Sequence, residues 1–470
     1  MKNCVFALGL ISTIIFSISF MNTKKDLHID ELYSLVQSTG RRIEMTIPEG
    51  KTIEKKDYLK KTFTTRNSFF SDIFRLREYA DSSHTNLYYS YLRTFLIGFT
   101  NFTLEEFIKR GVLANILLLI ISFFTIFYTL NKYYTLSNYL SLTLAFTYTI
   151  LPGSISNLLF IRPYQLQTTC LLIFHLFFLS LNSERGNNSL KTILFIISLT
   201  SLFLSGYFSL LYLTIFYIVF FLRTKQFHHL KYLMAAFLLT LFIYPSFFTP
   251  LVGMRGQEVA SNLILGRNLF QSKSWSFLLE FMLSSLATLI IVFVSFKERS
   301  KKLLPIQIGL VATLFLIIFI APYQEMRYLN PYLIATSTLA PIAIKLIPRN
   351  WTFIAITIFI TSSFFTSQIE NDNQDIYNQK RDFLKDIKHL LILGMKDEPR
   401  SHRTFSQIIL HLPRGSKVSY YSFAKNVDFN KFDGYCFYNK NAQASRLHKT
   451  DKLLQINSIL CKRKKDFKNL

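Results

Sequence analysis

Residues 4–34 read CVFALGLISTIIFSISFMNTKKDLHIDELYS, an uncharged apolar run that ends at a lysine pair and an acidic pair. At a helical rise of about 1.5 Å per residue, the run from Cys4 to Met21 approaches the ~30 Å needed to cross a bilayer. Lys2 ahead of it would suit a signal peptide. No A-x-A-like site follows Phe20, however, and comparable apolar runs recur downstream, so the run reads as an uncleaved first span.

Working outward, candidate spans fall at 3–21, 111–130, 137–152, 163–182, 190–205, 207–223, 231–249, 276–296, 303–321, 328–346 and 350–367, about eleven in all. A soluble chain could match the 50% hydrophobic content, but it would not gather those residues into repeated runs of span length. The segment from Leu190 to Leu222 is too long for one ordinary span and short for two. A pair of short helices turning at Ser205-Gly206 fits it, since glycine permits a tight reversal. The expected fold class is an all-α polytopic membrane protein.

Sidedness follows from Lys and Arg in the short loops. Lys132, Arg185, Lys191, Arg223, Lys225, Lys231, Lys297, Arg299, Lys301, Lys302, Lys345 and Arg349 fall on one side. Arg162, Arg255, Arg267, Lys273 and Arg327 fall on the other. The basic side is cytoplasmic and holds the N-terminus. The loop 22–110 and the tail then face outward, which divides the chain into a membrane domain, 1–367, and an extracytoplasmic C-terminal domain, 368–470. The net charge of +25 belongs to this pattern and to anionic headgroups; no nucleic-acid-binding module accompanies it. Of the four cysteines, Cys4 and Cys170 sit in spans. Cys436 and Cys461 share the tail, where a disulfide requires an oxidising compartment.

The outer loop has its own pattern. Leu87, Tyr91, Phe95 and Phe99 recur every fourth residue, predicting a helix over about 86–99 that lies in the interface. A more charged helix is expected over Ser71–Ala80. In the tail, a polar helix is expected from Asp375 to Leu393, and after Pro399 segments such as KVSYYSF read as strands. The tail is thus expected to be a small α/β domain.

Ionisable residues at membrane boundaries carry information because lipid-exposed charge is costly. Three clusters stand out, all on the outer side. Asp30-Glu31 follows the first span; one carboxylate there could serve as a general base, and the blander reading is a solvated turn that stops the span. Asp81-Ser82-Ser83-His84-Thr85-Asn86-Leu87-Tyr88-Tyr89 leads into the interfacial helix and could simply cap it. Arg162-Pro163-Tyr164 and Glu325-Met326-Arg327-Tyr328 open two later spans. Arg and Tyr are ordinary anchors there, but an Arg at a span's outer end also suits a phosphate.

The order of these clusters resembles the GT-C superfamily, in particular the polyprenyl-phosphate-sugar-dependent branch that includes protein O-mannosyltransferases and lipid A aminoarabinose transferases. The family's acidic pair is matched by Asp30-Glu31, and its H-P-P-L-Y-Y-like stretch by His84-Thr85-Asn86-Leu87-Tyr88-Tyr89. Its R-x-Y element is matched by Arg162-Pro163-Tyr164, and its R-Y-L element by Arg327-Tyr328-Leu329. The resemblance covers about residues 1–345. Thr85 and Asn86 replace both prolines, and Ser205-Gly206-Tyr207-Phe208 stands where many relatives carry a histidine.

The resemblance implies an inverting transfer of a sugar from a polyprenyl-phosphate donor to a hydroxyl of an envelope lipid, glycan or protein, at a bacterial cytoplasmic membrane. Asp30 would be the general base, and Glu31 would orient the acceptor or position Asp30. Arg162 and Arg327 would stabilise the leaving phosphate, while His84, Tyr88, Tyr89, Tyr164 and Tyr328 would shape the substrate pocket. A divalent metal would have the acidic pair to bind, but no multi-ligand cluster accompanies it. The rival reading is a lipid-linked glycan flippase. It predicts polar residues lining a path, whereas the spans are nearly free of charge apart from His175.

Overall fold

Every apolar segment predicted above is helical in the computed structural model. The structure describes all residues except 1, 40–46, 48–49, 66–67, 79–83, 101, 184–188, 250–253, 266–270, 299, 322–323, 349–350, 367–379, 394–398, 422–426, 429–430, 439–453, 457–458 and 464–470. Leu104–Tyr134, Tyr164–Asn182 and Tyr207–Thr224 are each long and apolar enough to cross a bilayer. Two further pairs are bent, Asn138–Ile150 with Pro152–Leu159 by 55° and Ser272–Ser284 with Leu286–Ser295 by 77°. Phe6–Met21, Ser189–Phe203, His229–Ile243 and Leu304–Ile320 are apolar but shorter. This is a multi-pass membrane protein with several short or broken helices.

The breaks have local causes. Pro152 forces Leu151 out of the helical region (φ −57°, ψ 148°), because a proline ring crowds the preceding residue. The segment 328–346, expected as one span, is instead three pieces: Asn330–Ala335, the 3-10 turn Thr336–Thr338 and Ala340–Lys345. Pro331 and Pro341 each lack the N–H that a continuous helix needs, and each sits at the start of a new piece. The reversal expected at Ser205-Gly206 is present, but Gly206 is extended (φ 160°, ψ 157°). The turn therefore does not depend on glycine's conformational freedom, contrary to the sequence expectation. Glycine matters more at Gly309, where an added Cβ would lie 2.9 Å from Tyr212 Cε2 and push apart two packed helices, Tyr207–Thr224 and Leu304–Ile320.

The chain divides into two compact units. The first comprises 1–23, 74–91 and 112–371, and holds the apolar helices. The second combines two stretches of the outer loop, 24–73 and 92–111, with the tail, 372–470. Sequence had assigned that loop to the membrane domain.

In the second unit a six-stranded mixed sheet runs in the order β1-β3-β2-β4-β6-β5. Its strands are β1 Thr52–Glu54, β2 His389–Leu393, β3 Lys417–Tyr421, β4 Gly434–Tyr438, β5 Leu454–Ile456 and β6 Ile459–Arg463. β3, β2 and β4 are parallel, with antiparallel strands at both edges. The edge strand β1 comes from the outer loop and pairs Ile53 with Val418. The helix expected through Leu393 is corrected here, since residues 389–393 form β2 and 375–379 lie outside the described residues. The run Leu390-Leu391-Ile392 is buried on both faces, as a central parallel strand should be; such a run carries no alternation to mark it as a strand.

The interfacial helix is also shorter than expected, Leu87–Phe95. Gly98 at φ +72°, in the left-handed region, follows its end. Its buried side chains are Tyr88, Tyr89, Leu92 and Arg93; of the expected stripe, Leu87, Tyr91 and Phe95 are only half-buried, and Phe99, beyond the helix end, is buried.

Cys436 and Cys461 face each other across β4 and β6 and form a disulfide. They are 25 residues apart, so reduction is expected to cost about 3 kcal/mol of loop-closure entropy. Thermal unfolding with and without dithiothreitol checks this, and an unchanged midpoint would count against it.

Candidate active site

In the first unit, six of the residues singled out from sequence converge. Pro163 opens the helix Tyr164–Ser183, with Gln167 N–H bonded to the Pro163 carbonyl at 2.9 Å. Just before it, the Arg162 N–H reaches the Phe160 carbonyl at 2.7 Å in a tight turn. Tyr164 stacks on Phe160 at 5.9 Å and meets the edge of His84 at 5.4 Å. Tyr328 lies 5.8 Å from Tyr164 and 5.7 Å from Phe208, extending the aromatic wall. The Arg327 guanidinium sits over Phe160, 4.6 Å from the ring centre, and pairs with Glu325. Arg162 donates to the Tyr89 hydroxyl at 3.1 Å.

Both arginines are more than nine-tenths buried. His84 registers them. Burial first, then the charges of Arg162 and Arg327, hold its imidazole well below the usual histidine range. His84 is therefore neutral at physiological pH, and its buried Nε2 has no hydrogen-bond partner among the described residues. Thr85 anchors the segment by donating to the Leu204 carbonyl. Two buried guanidinium groups, one of them paired with Glu325, beside a neutral imidazole leave a net positive locus suited to an anion.

Tyr88 faces elsewhere. Its hydroxyl donates to Asn115 Oδ1 at 3.1 Å, and Asn115 in turn donates to the carbonyls of Leu158 and Phe160 at 3.0 and 3.1 Å. Asp81-Ser82-Ser83 lie outside the described residues. Sequence reading missed the polar group beside His84. Gln167 Nε2 donates to Ser209 Oγ and the Tyr332 hydroxyl, both at 2.9 Å, and a Cβ on Gly206 would touch both Gln167 and His84. The available signal was two glutamines, Gln165 and Gln167, in the first turns of an apolar helix.

The acidic pair belongs to the second unit. There Ile29–Ser38 is a helix capped by His28, whose Nδ1 accepts the Asp30 N–H at 3.2 Å. Glu31 Oε2 accepts the His28 N–H at 2.7 Å, closing a capping box, and binds Lys24 Nζ at 3.0 Å. Glu31 is fully buried, whereas the Asp30 side chain is 31% exposed and lies 3.5 Å from His28 Nδ1. The two adjacent carboxylates thus have different environments. Glu31 is committed to Lys24 and the cap, and among the described residues no group of three or more His, Cys, Asp or Glu could hold a metal ion. A divalent ion takes about six ligands or more, mostly oxygen, so this turn does not fit one.

No protein-family model matches the sequence, and no curated protein matches it in sequence. Among solved structures, the chain is similar to ArnT from Cupriavidus metallidurans in the apo state, with a TM-score of 0.56 and 10% identity over 97% of both chains. The same protein bound to undecaprenyl phosphate gives a TM-score of 0.57, also with 10% identity over 97% of both chains. An oligosaccharyltransferase from Archaeoglobus fulgidus, solved with zinc and sulfate, gives a TM-score of 0.47 and 11% identity over 93% of this chain and 69% of that one. The chain therefore shares, over nearly its whole length, the fold of ArnT.

Proposed function

We propose that this protein is a membrane glycosyltransferase that moves a hexose or pentose from a polyprenyl-phosphate donor to a hydroxyl of an envelope lipid, glycan or protein. The observation that carries the reading is the pair of buried arginines around neutral His84, in a fold shared with an ArnT that binds undecaprenyl phosphate. In this reading the acceptor oxygen attacks the anomeric carbon as its proton passes to Asp30. The bond from that carbon to the phosphate oxygen breaks, its electron pair stays on the phosphate, and the configuration inverts. Arg162 and Arg327 take up the growing negative charge. Glu31 holds the turn that carries Asp30. The N-terminus lies in the cytoplasm of a bacterium and the disulfide-bearing sheet outside it, in keeping with an oxidising compartment.

Removing a charge-assisted hydrogen bond costs about 1.5–3 kcal/mol, or roughly 10- to 100-fold in affinity. Arg162→Ala and Arg327→Ala are each expected to weaken undecaprenyl phosphate binding by that factor in nanodiscs, measured on variants whose helical content matches wild type. Unchanged binding in both variants would overturn the reading. The flippase alternative gains nothing from His175, whose ring nitrogens meet the Tyr212 hydroxyl at 2.6 Å and the Thr338 hydroxyl at 3.2 Å, as in ordinary packing.

A further inference from the structure

Between the first span and the Asp30 helix, charged residues are buried at Lys24 and Asp26 while Lys25 stays exposed. A buried carboxylate is tolerated only with close partners. Glu31 serves Lys24; the partners of Asp26 come from the tail, more than 350 residues away. Lys380 Nζ donates to Asp26 Oδ2 at 2.7 Å, and His411 Nε2 lies 3.0 Å from Oδ1, which also accepts the Leu27 N–H at 2.8 Å. Gln407 Nε2 donates to the Leu27 carbonyl at 2.8 Å. Gln407 and His411 are one turn apart on the helix Pro399–His411, so one helix face grips both the side chain of Asp26 and the backbone of Leu27.

Within this unit the grip ends one residue before the His28 cap. The ion pairs and the cap between Lys24 and Glu31 bury the carboxylates of Asp26 and Glu31 and leave that of Asp30 part-exposed. We propose that Lys380, Gln407 and His411 are positioning residues for transfer, clamping Asp26-Leu27 so that the C-terminal domain sets the placement of Asp30. The proposal rests on the reading of Asp30 as the general base. Misplacement of a catalytic group by about 1 Å can cost on the order of 100-fold in rate, so a clamp of this kind has a measurable consequence. The balance of charges supports it. Burial alone would raise the Asp26 pKa, but His411 and Lys380 outweigh burial and hold the carboxyl well below its usual range, keeping it ionised.

The test uses the full-length protein in nanodiscs and two variants that strand neither the Asp26 carboxylate nor the Lys380 ammonium: Gln407→Leu, and Asp26→Asn combined with Lys380→Met, which leaves His411 free to stay neutral. Hydrogen exchange is followed across residues 26–32 and across the sheet. Turnover is followed with a panel of undecaprenyl-phosphate hexoses and pentoses. Both variants are expected to raise exchange at the 26–32 amides at least tenfold and to lower kcat at least tenfold, with donor KM within twofold. Wild-type exchange and kcat in both variants would overturn the clamp, as would exchange rising throughout the sheet, which marks general unfolding. If Asp30→Asn keeps wild-type turnover, it is the base assignment that fails, and the exchange measurement still reports on the clamp by itself.

Discussion

Asp30→Asn is expected to lower sugar transfer by about 10²- to 10⁴-fold, the usual worth of a general base. The amide keeps the size of the carboxylate but cannot accept the acceptor's proton. The substitution is a mild one because the Asp30 side chain is 31% exposed and asparagine has nearly its shape. Its backbone N–H, which His28 Nδ1 accepts, is unaffected. Undecaprenyl phosphate binding and the unfolding midpoint are therefore expected to stay at wild-type values while turnover falls. Near-normal turnover in properly inserted protein would remove Asp30 from the base role. Asp30→Glu should retain part of the activity, since it restores the proton acceptor at a shifted position.

One residue along, Glu31→Ala should act on stability instead. Glu31 and Lys24 are both buried, and the same carboxylate oxygen accepts the His28 N–H. Its loss strands an ammonium in a dry environment and opens the capping box. Breaking a buried pair from one side costs about 3–5 kcal/mol, with about 1 kcal/mol more from the lost cap. The expected readout is a large fall in the unfolding midpoint and early proteolysis near residues 24–38. Adding Lys24→Met should recover most of the loss by removing the stranded charge. A Glu31→Ala protein of wild-type stability would contradict the ion pair. The contrast matters for interpretation, because activity lost in Glu31 variants does not identify a second catalytic carboxylate.

Much of this was legible locally. Hydropathy over about twenty residues depends only on neighbours in sequence, so the helical segments stood out, and Pro331 and Pro341 were visible signals of a break that the apolar count overrode. HIDELYS was legible as an acidic pair but not as a capping box, although a cap is a matter of three or four residues. The clamp was not legible at all. Asp26 looks like one more charge after a span, and Lys380, Gln407 and His411 look like ordinary polar positions of a tail. Their meaning comes from pairing across more than 350 residues. The strand β1 was hidden likewise, because TIE is too short to show alternation and becomes a strand only beside Lys417–Tyr421.

By itself the sequence determined a polytopic helical protein, its expected sidedness, and the short motifs around Asp30, His84, Arg162 and Arg327. All of these rest on transfer free energies and local geometry that a chain carries wherever it folds. Only the tertiary structure decided that Asp30 is part-exposed while Glu31 is buried, that burial and two arginines hold His84 neutral, and that the outer loop joins the tail's sheet. Burial, and the pairing of charges that burial demands, are properties of what the fold brings together.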